Sequence, residues 1–318
     1  MNCLCCGKPL LDNEQETGWH KACIRRFFGT SGLPELELSD EILKKLVLES
    51  VNKGYTVPGV QKKMSLHLSS EGKPRLTLMD YPTGYILKPQ VAEFPSLPES
   101  EQLVMTMASE CGISVVPHAL LKQGDGVAYI TKRVDRELKK DKSVKLLAME
   151  DFCQLDERLT EDKYRGSYER CAKIIQRFSS RSGLDVSELF LRLVFSFLTG
   201  NSDMHLKNFS LLETGEGSAR YVLSPAYDLL PVHVVMPEDT EEFALALQGK
   251  KRNLRRSDFV SFAEGCAIGE KAAEKMLSML LSKEHMFQDM IAGSLLPEVL
   301  KKRFSALLSE RATRLRLA

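Results

Sequence analysis

The chain has 318 residues and a formal net charge of +1, with 43% hydrophobic and 27% charged residues. These values are typical of a soluble globular protein of about two domains, and they exclude a strongly basic nucleic-acid-binding protein. No apolar run reaches the roughly 18 residues that a membrane-spanning helix needs, and the start of the chain lacks the apolar stretch of a signal peptide. We therefore expect a cytoplasmic protein without a membrane partner, whose cysteines are free thiols or metal ligands.

Residues 1–34 are predicted to form a small metal-binding module. Two pairs of cysteine or histidine residues, each with two residues between its members, lie in this segment, and zinc favours such tetrahedral sulfur and nitrogen ligands. The predicted zinc ligands are Cys3, Cys6, His20 and Cys23. Cys5 could replace Cys3 or Cys6, and free thiols in a reducing cytosol are the alternative. The remaining cysteines, Cys111, Cys153, Cys171 and Cys266, fall in apolar helical patterns and are predicted to be buried.

Residues 35–133 are predicted to form a β-rich lobe. An amphipathic helix over 40–54 is followed by an antiparallel meander over 55–90, with turns at EGKP and YPTG. A helix over 96–113 then precedes two further strands, one in SVVPHALLK and one in GVAYITKRVDR.

Residues 134–318 are predicted to form a helical lobe. Its apolar helical patterns include DVSELFLRLVFSFLTG, and further helices are predicted over 268–282 and 295–316, with an apolar strand in EFALALQ. A β-rich half followed by a helical half favours an α+β fold with two lobes, arranged as in protein kinases.

A loop after the apolar helix carries residues suited to phosphoryl transfer. Asp203 could accept a hydroxyl proton, while Asn208 and Asp228 could hold magnesium on the phosphates of ATP. Magnesium prefers oxygen ligands, and both side chains offer them. A polar loop capped by asparagine and aspartate explains the spacing alone equally well.

The complete strings around these residues favour the first interpretation. GNSDMHLKNF and SPAYD closely resemble the catalytic and metal loops of the HipA-like kinases, the bacterial Ser/Thr kinases of HipBA-type toxin–antitoxin systems. The shorter HipT members are the nearer match in length, and the resemblance covers roughly residues 55–316. It implies a kinase fold with Asp203 as the catalytic base.

The resemblance also implies the residues that would hold ATP. VPGVQKKMSL resembles the family's phosphate loop, YILKP its strand lysine, and ITKRVDR the segment where its lobes join. The implied nucleotide-binding residues are Gly59, Gln61, Lys63, Lys88, Glu101, Lys132, Val134, Asp135, His205, Asn208 and Asp228.

Several of these residues have simpler interpretations. The phosphate loop could be a plain hairpin turn, and Lys88 an exposed lysine at a strand end. Glu99 competes with Glu101 as the partner of Lys88. Asp135 could pair with Arg136 instead of binding ribose, and His205 could hold the loop through its hydrogen bonds.

The resemblance further implies substrates, regulation and partners. Family substrates are aminoacyl-tRNA synthetases, and autophosphorylation before the Gly-x-Gln segment restrains activity. Thr56 stands where one regulatory serine would be, whereas Pro58 replaces the second. A helix-turn-helix antitoxin like HipB and a separate small protein like HipS are the implied partners.

Other functions are compatible with the same residues. A binding protein with a kinase fold, or a kinase for a small molecule or lipid, would carry similar loops. The basic run over 250–256 is expected to be a solvated turn, with an electrostatic patch for a tRNA-bound substrate or for DNA in a complex as the alternative. Base stacking is not expected, since aromatic residues are absent from the run, and nucleic-acid binding is expected only through the antitoxin.

Overall fold

The computed structural model describes residues 1–36, 63–69, 74–77, 84–138 and 144–317. Its strands are β1 (Glu35–Leu36), β2 (Met64–Ser69), β3 (Arg75–Thr77), β4 (Tyr85–Lys88), β5 (His118–Gln123), β6 (Gly126–Lys132), β7 (Arg136–Leu138), β8 (Val144–Leu146), β9 (Met149–Asp151), β10 (Ser210–Glu213) and β11 (Tyr221–Leu223). Its α-helices are α1 (Lys21–Phe28), α2 (Leu97–Glu110), α3 (Phe152–Leu155), α4 (Tyr168–Phe178), α5 (Ser182–Thr199), α6 (Val232–Val235), α7 (Arg256–Gly265), α8 (Glu270–Ser282), α9 (Glu284–Ala292) and α10 (Glu298–Arg316). The chain divides into two compact units, Met1–Glu93 with Pro117–Arg133, and Phe94–Val116 with Val134–Ala318.

The first unit contains a sheet with the strand order β1-β3-β2-β4-β6-β5. Its neighbours pair antiparallel, except that β1 runs parallel to β3. Leu66, Leu87 and Ile130 are fully buried, because alternating apolar residues on the strands face one core. The predicted meander is thus present as β2, β3 and β4, while the helix predicted over 40–54 lies outside the described residues.

The amino-terminal module covers the edge of this sheet at β5. Leu120 donates its backbone N–H to the carbonyl of Leu4 at 2.9 Å, and its own carbonyl accepts the indole N–H of Trp19 at 3.1 Å. Trp19, Phe27, Phe28 and Tyr85 form an aromatic cluster with centroid separations of 4.8–5.8 Å. The module therefore satisfies polar groups that an uncovered edge strand would expose.

The second unit is built around α5, which is buried along most of its length. Phe197 on this helix packs against Phe243 and Phe259, and the guanidinium of Arg311 on α10 lies 4.5 Å from its ring centroid. Helices α4 and α10 pack on α5. A three-stranded antiparallel sheet, β11-β10-β9, and the hairpin β7-β8 complete the unit. The structure confirms a mixed α+β chain.

Two differences from the predicted elements have physical causes. The helix predicted from residue 295 begins at Glu298, directly after Pro297, and a separate helix, α9, precedes it. EFALALQ was predicted to be a strand, and this prediction was wrong. Its N–H groups bond to carbonyls of Lys251, Gly166 and Lys250, so within the described part of the chain it pairs with no continuous strand.

The four cysteines predicted to be buried are buried in the structure. Within the described ranges, no helix combines the length and the apolar character that crossing a bilayer requires.

Candidate functional site

The loop that carries Asp203 starts from a fixed point at the end of α5. Gly200 ends the helix with φ of +71°, a left-handed conformation that favours glycine. A Cβ atom at this position would collide with the side chain of Leu307. The buried helix and this turn therefore decide where the loop begins.

Backbone and side-chain hydrogen bonds then hold the loop in place. Tyr168 donates its hydroxyl to the carbonyl of Met204 at 2.9 Å, and the N–H of Leu206 bonds to the carbonyl of Lys163 at 3.1 Å. The backbone N–H of His205 bonds to the side-chain oxygen of Asn208 at 3.1 Å, within a 3-10 turn at Leu206–Asn208. Asn208 is 5% exposed, and the bond from the His205 N–H fixes its side-chain amide in the loop.

Asp203 lies partly buried in this loop beside other charged groups. One of its carboxylate oxygens, Oδ1, accepts the hydroxyl of Tyr164 at 2.9 Å. Burial raises the pKa of Asp203, and the negative charges of Asp228 and Asp239 raise it further, while Tyr164 and Lys163 lower it. A carboxylate whose pKa is raised is a better proton acceptor, provided it remains ionised.

The second acidic loop is held by an independent set of contacts. Arg192 on α5 donates to the carbonyl of Ser224 at 2.8 Å and to Glu188 at 3.0 Å. Tyr227 donates its hydroxyl to the carbonyl of Lys207 at 3.1 Å, which links this loop to the first one.

Asp228 itself has φ of +57°, a left-handed conformation that is uncommon outside glycine. Such backbone strain persists only where surrounding contacts impose it, and it concentrates at functional sites. Asn208 and Asp228 offer the amide and carboxylate oxygens that suit Mg²⁺. The charge of Asp228 raises the pKa of Asp203, and the neighbouring Tyr227 bonds to Lys207 in the first loop.

The structure describes some of the residues that are predicted to bind phosphate. Lys88 ends β4 in the first unit with only 2% exposure, and its ammonium lies 5.2 Å from the ring centroid of Tyr129. The interpretation of Lys88 as an exposed lysine is therefore wrong. Glu101 is fully buried on α2 in the second unit. Glu99, the alternative partner of Lys88, lies on the same helix, and burial raises the pKa of its carboxyl group.

Other predicted nucleotide residues lie at the start of β2 and at the end of β6. Lys63 is exposed directly before β2. Lys132 ends β6, followed by Val134 and Asp135, and Asp135 accepts Arg136 at 2.8 Å. The predicted ion pair is therefore present, while a bond to ribose stays a prediction. Three predicted residues, Thr56, Gly59 and Gln61, lie outside the described residues.

The amino-terminal module brings its predicted ligands together. The ligand atoms of Cys3, Cys6, His20 and Cys23 all lie within 4.8 Å of one another. His20 Nδ1 is 3.4 Å from Cys6 Sγ and 3.8 Å from Cys23 Sγ. The other ring nitrogen, Nε2, donates to the carbonyl of Pro9 at 2.9 Å, because that carbonyl can only accept. In neutral His20 the lone pair of Nδ1 is therefore directed at the sulfurs, as ligation requires.

Cys5 is not a member of this cluster. Burial raises the pKa of its thiol, and the side chain of Arg26 acts in the opposite direction. Cys3 and Cys6, and not Cys5, therefore contribute sulfur atoms to the cluster with His20 and Cys23.

The residues that hold the two acidic loops were not predicted from the sequence. Tyr164, Lys163 and Arg192 come from segments with no motif of their own, so only tertiary contacts identify them. The basic run is largely paired with carboxylates: Lys250 contacts Asp258 at 2.6 Å and Lys251 contacts Glu241 at 3.3 Å. Arg256 pairs with Glu274. This pairing favours a structural role for the run.

The chain is similar to known proteins in sequence and in fold. The sequence model of the HipA-like C-terminal domain matches residues 55–286. A protein from Haemophilus influenzae named "Putative kinase" is 26% identical over 92% of this chain and 90% of its own length. "Putative kinase Y4mE" from Sinorhizobium fredii is 30% identical over 71% of this chain. The chain spans 54% of the length of that second relative.

Solved structures share the fold. HipA from Shewanella oneidensis, determined in a complex with HipB and operator DNA, has a TM-score of 0.70 at 20% identity, over 82% of this chain and 65% of its own. The Helicobacter pylori proinflammatory kinase CtkA has a TM-score of 0.53 at 17% identity, over 79% of this chain and 93% of its own. Since the family model matches more than half of the sequence, the chain belongs to the HipA-like family.

Proposed function

We propose that this chain is an ATP- and Mg²⁺-dependent protein kinase that phosphorylates serine or threonine. The observation that carries the proposal is that two acidic loops are held together: Tyr164 bonds to Asp203, and Tyr227, next to Asp228, bonds to the carbonyl of Lys207 in the first loop. The names of the relatives support phosphoryl transfer as the reaction class.

The reaction would follow from the placement of these groups. Asp203 orients the acceptor hydroxyl and takes its proton as the oxygen attacks the γ-phosphorus of ATP. The new bond joins the hydroxyl oxygen to phosphorus, the bond from phosphorus to the β–γ bridging oxygen breaks, and ADP leaves with that electron pair. Bound Mg²⁺ would neutralise charge on the phosphates, with Asn208 and Asp228 as its protein ligands.

Several residues outside the two loops would bind ATP. Lys88 supplies a positive charge for the α- and β-phosphates, and Glu101 would orient it. Lys63 and the segment with Gly59 and Gln61 would hold the remaining phosphates, with His205 facing them. The backbone around Lys132 and Val134 would bind adenine, and Asp135 the ribose.

The cellular role that we propose is that of a toxin. Its substrate would be an aminoacyl-tRNA synthetase or another translation factor, since family resemblance implies that class. A HipB-like antitoxin is the proposed partner, as HipB accompanies HipA in the Shewanella oneidensis structure. A separate HipS-like protein is a second proposed partner, and Thr56 a proposed autophosphorylation site.

Transfer of label from radioactive ATP to protein tests this proposal. Wild-type chain should label a serine or threonine in a bacterial extract only when Mg²⁺ is present. Asp203→Ala should lower the rate by about 10²–10⁴, because the proton acceptor is lost. The melting temperature should change little, because only the bond to Tyr164 is removed with it. Expression of the wild type without a partner should slow growth, and Asp203→Ala should remove this effect.

The outcomes separate the alternatives. Growth inhibition that persists in folded Asp203→Ala without phosphotransfer would mean that the chain acts by binding. If a small molecule or lipid is labelled and no protein is, the chain would be a small-molecule or lipid kinase.

A second proposal concerns the amino-terminal module, which we infer binds a structural zinc ion. The convergence of three sulfurs and one imidazole nitrogen supports it, as does the bond that orients His20. About one zinc per chain is expected from elemental analysis of purified protein. A metal-free chain that is folded and equally stable would contradict this proposal.

A further inference from the structure

A short segment preceding α4 contacts the loop that carries Asp203. It includes a 3-10 turn at Thr160–Asp162, followed by Lys163 and Tyr164. The carbonyl of Lys163 accepts the N–H of Leu206 at 3.1 Å, and Tyr168, four residues further on, donates to Met204 at 2.9 Å. The segment is therefore attached to the loop on both sides of Tyr164.

Between these two attachments, the hydroxyl of Tyr164 reaches the carboxylate. It donates to Oδ1 of Asp203 at 2.9 Å, and its ring meets the imidazole of His205 edge-on at 5.1 Å between centroids. The ammonium of Lys163 lies 4.8 Å from the centroid of the same ring. Tyr164 thus has little freedom to turn away from Asp203.

The hydrogen bond from Tyr164 restricts rotation of the Asp203 carboxylate about the terminal torsion of its side chain. The terminal torsion of an aspartate side chain is broad, so a carboxylate alone does not present one oxygen in one direction. With Oδ1 bound to Tyr164, the second oxygen, Oδ2, is the one left for an incoming hydroxyl. A general base must lie within hydrogen-bond reach of the proton that it takes.

The charges around Asp203 explain why a neutral donor is useful there. Asp228 and Asp239 place negative charge near it, and Lys163 contributes positive charge. Burial raises the pKa of Tyr164, and the charge of Asp203 raises it further, so the phenol keeps its proton at physiological pH. Tyr164 can therefore donate a hydrogen bond without adding a charge that would compete for the phosphates.

We propose that Tyr164 is a positioning residue that aims the Asp203 carboxylate at the acceptor hydroxyl during phosphoryl transfer. The inference rests on the proposed kinase function and adds to it a residue outside both sequence motifs. Its effect on the reaction would pass through Asp203, the carboxylate to which it bonds.

The test compares Tyr164→Phe with Tyr168→Phe. Tyr164→Phe keeps the ring against His205 and removes only the hydroxyl. We expect kcat to fall about 10- to 100-fold, the range for losing a hydrogen bond to a charged group, with KM for ATP unchanged. Tyr168→Phe removes a hydroxyl that holds the same loop but does not touch the carboxylate. It should lower the melting temperature and reduce kcat by a smaller factor.

A double-mutant cycle tests whether the effect passes through Asp203. In an Asp203→Ala background, Tyr164→Phe should cause no further loss of the residual rate, because the group that it positions is gone. Losses that multiply in the double variant would assign Tyr164 an independent role and overturn the proposal.

Two other outcomes are distinguishable. If the wild-type chain is active, an unchanged kcat in Tyr164→Phe would overturn only the positioning role. An equal loss of kcat in Tyr164→Phe and Tyr168→Phe would do the same. A wild-type chain that transfers no phosphate under any condition would overturn the kinase proposal and the positioning role together.

Discussion

The acidic loops of the second unit and the Cys/His module of the first unit achieve order in different ways. In the acidic loops, the protein supplies the organising bonds itself, from Tyr164 to Asp203 and from Arg192 to Ser224. In the module, three thiols and the imidazole of His20 are directed at a common point. The acidic loops are thus preorganised by contacts within the chain, whereas the proposed zinc ion would complete the module.

Neither region is organised by one type of interaction alone. The module also has an aromatic cluster around Trp19 and main-chain bonds to β5. The acidic loops include the strained backbone of Asp228, which other contacts must compensate. Variants that remove one type of interaction at a time can therefore separate the contributions.

The largest effect is expected from Cys23→Ser in the module. Structural zinc contributes on the order of 10 kcal/mol of binding free energy in small zinc domains, so losing one thiolate should remove the ion and strongly destabilise the first unit. Elemental analysis and thermal melting would measure both effects. Cys5→Ser is the matched control, since Cys5 lies outside the cluster, and it should retain the metal. Equal zinc in both variants would mean that the cluster is not the site.

Asp228→Asn should weaken Mg²⁺-dependent nucleotide binding about 10- to 100-fold, because a charged ligand for the metal becomes neutral. Calorimetric titration with an ATP analogue, with and without Mg²⁺, would measure the change. Asp239→Asn is the control, since the charge of Asp239 also raises the pKa of Asp203 but Asp239 is not a predicted ligand. If both variants bind alike, the assignment of Asp228 to the metal fails.

Arg192→Met should lower the free energy of unfolding by about 1–3 kcal/mol. The buried carbonyl of Ser224 would lose its donor, and Glu188 would lose a charged partner. Denaturant titration would measure this loss. Arg177→Met, at an exposed position of α4, should change stability by about 0.5 kcal/mol or less. Similar values for the two variants would show that the acidic loops do not depend on the buried arginine.

The smallest effects concern the contacts between the module and β5. Trp19→Phe removes the bond to Leu120 and leaves space in a fully buried position, so we expect a loss of about 1–2 kcal/mol. Lys122→Met removes an exposed bond to the carbonyl of Glu16 and should cost about 0.5 kcal/mol or less. Hydrogen exchange at Leu120 would report both changes. Faster exchange of the Leu120 amide in Lys122→Met than in Trp19→Phe would contradict the explanation that the buried contact contributes more to stability than the exposed one.

Local patterns predicted much of the fold and part of the candidate site. The apolar helix ending at Gly200 and the strands of the meander follow from periodicity and from turn residues, which act over short distances in the chain. Membership of the HipA-like family, expected from GNSDMHLKNF and SPAYD, is confirmed by the match over residues 55–286. The spacing of Cys3, Cys6, His20 and Cys23 predicted a cluster that the structure contains. The assignments of ATP, Mg²⁺ and zinc remain predictions.

Tertiary structure alone decided the contacts between distant segments. EFALALQ alternates like a strand, yet among the described residues its N–H groups bond to carbonyls of separate segments and not to one neighbouring strand. Cys5 has the same chemistry as Cys3 and Cys6, and only the path of the backbone excludes it from the cluster. Tyr164 reaches Asp203 across 39 positions of the chain. Spacing in a sequence reports which residues share a turn or a face, whereas such long-range hydrogen bonds depend on how the folded segments pack.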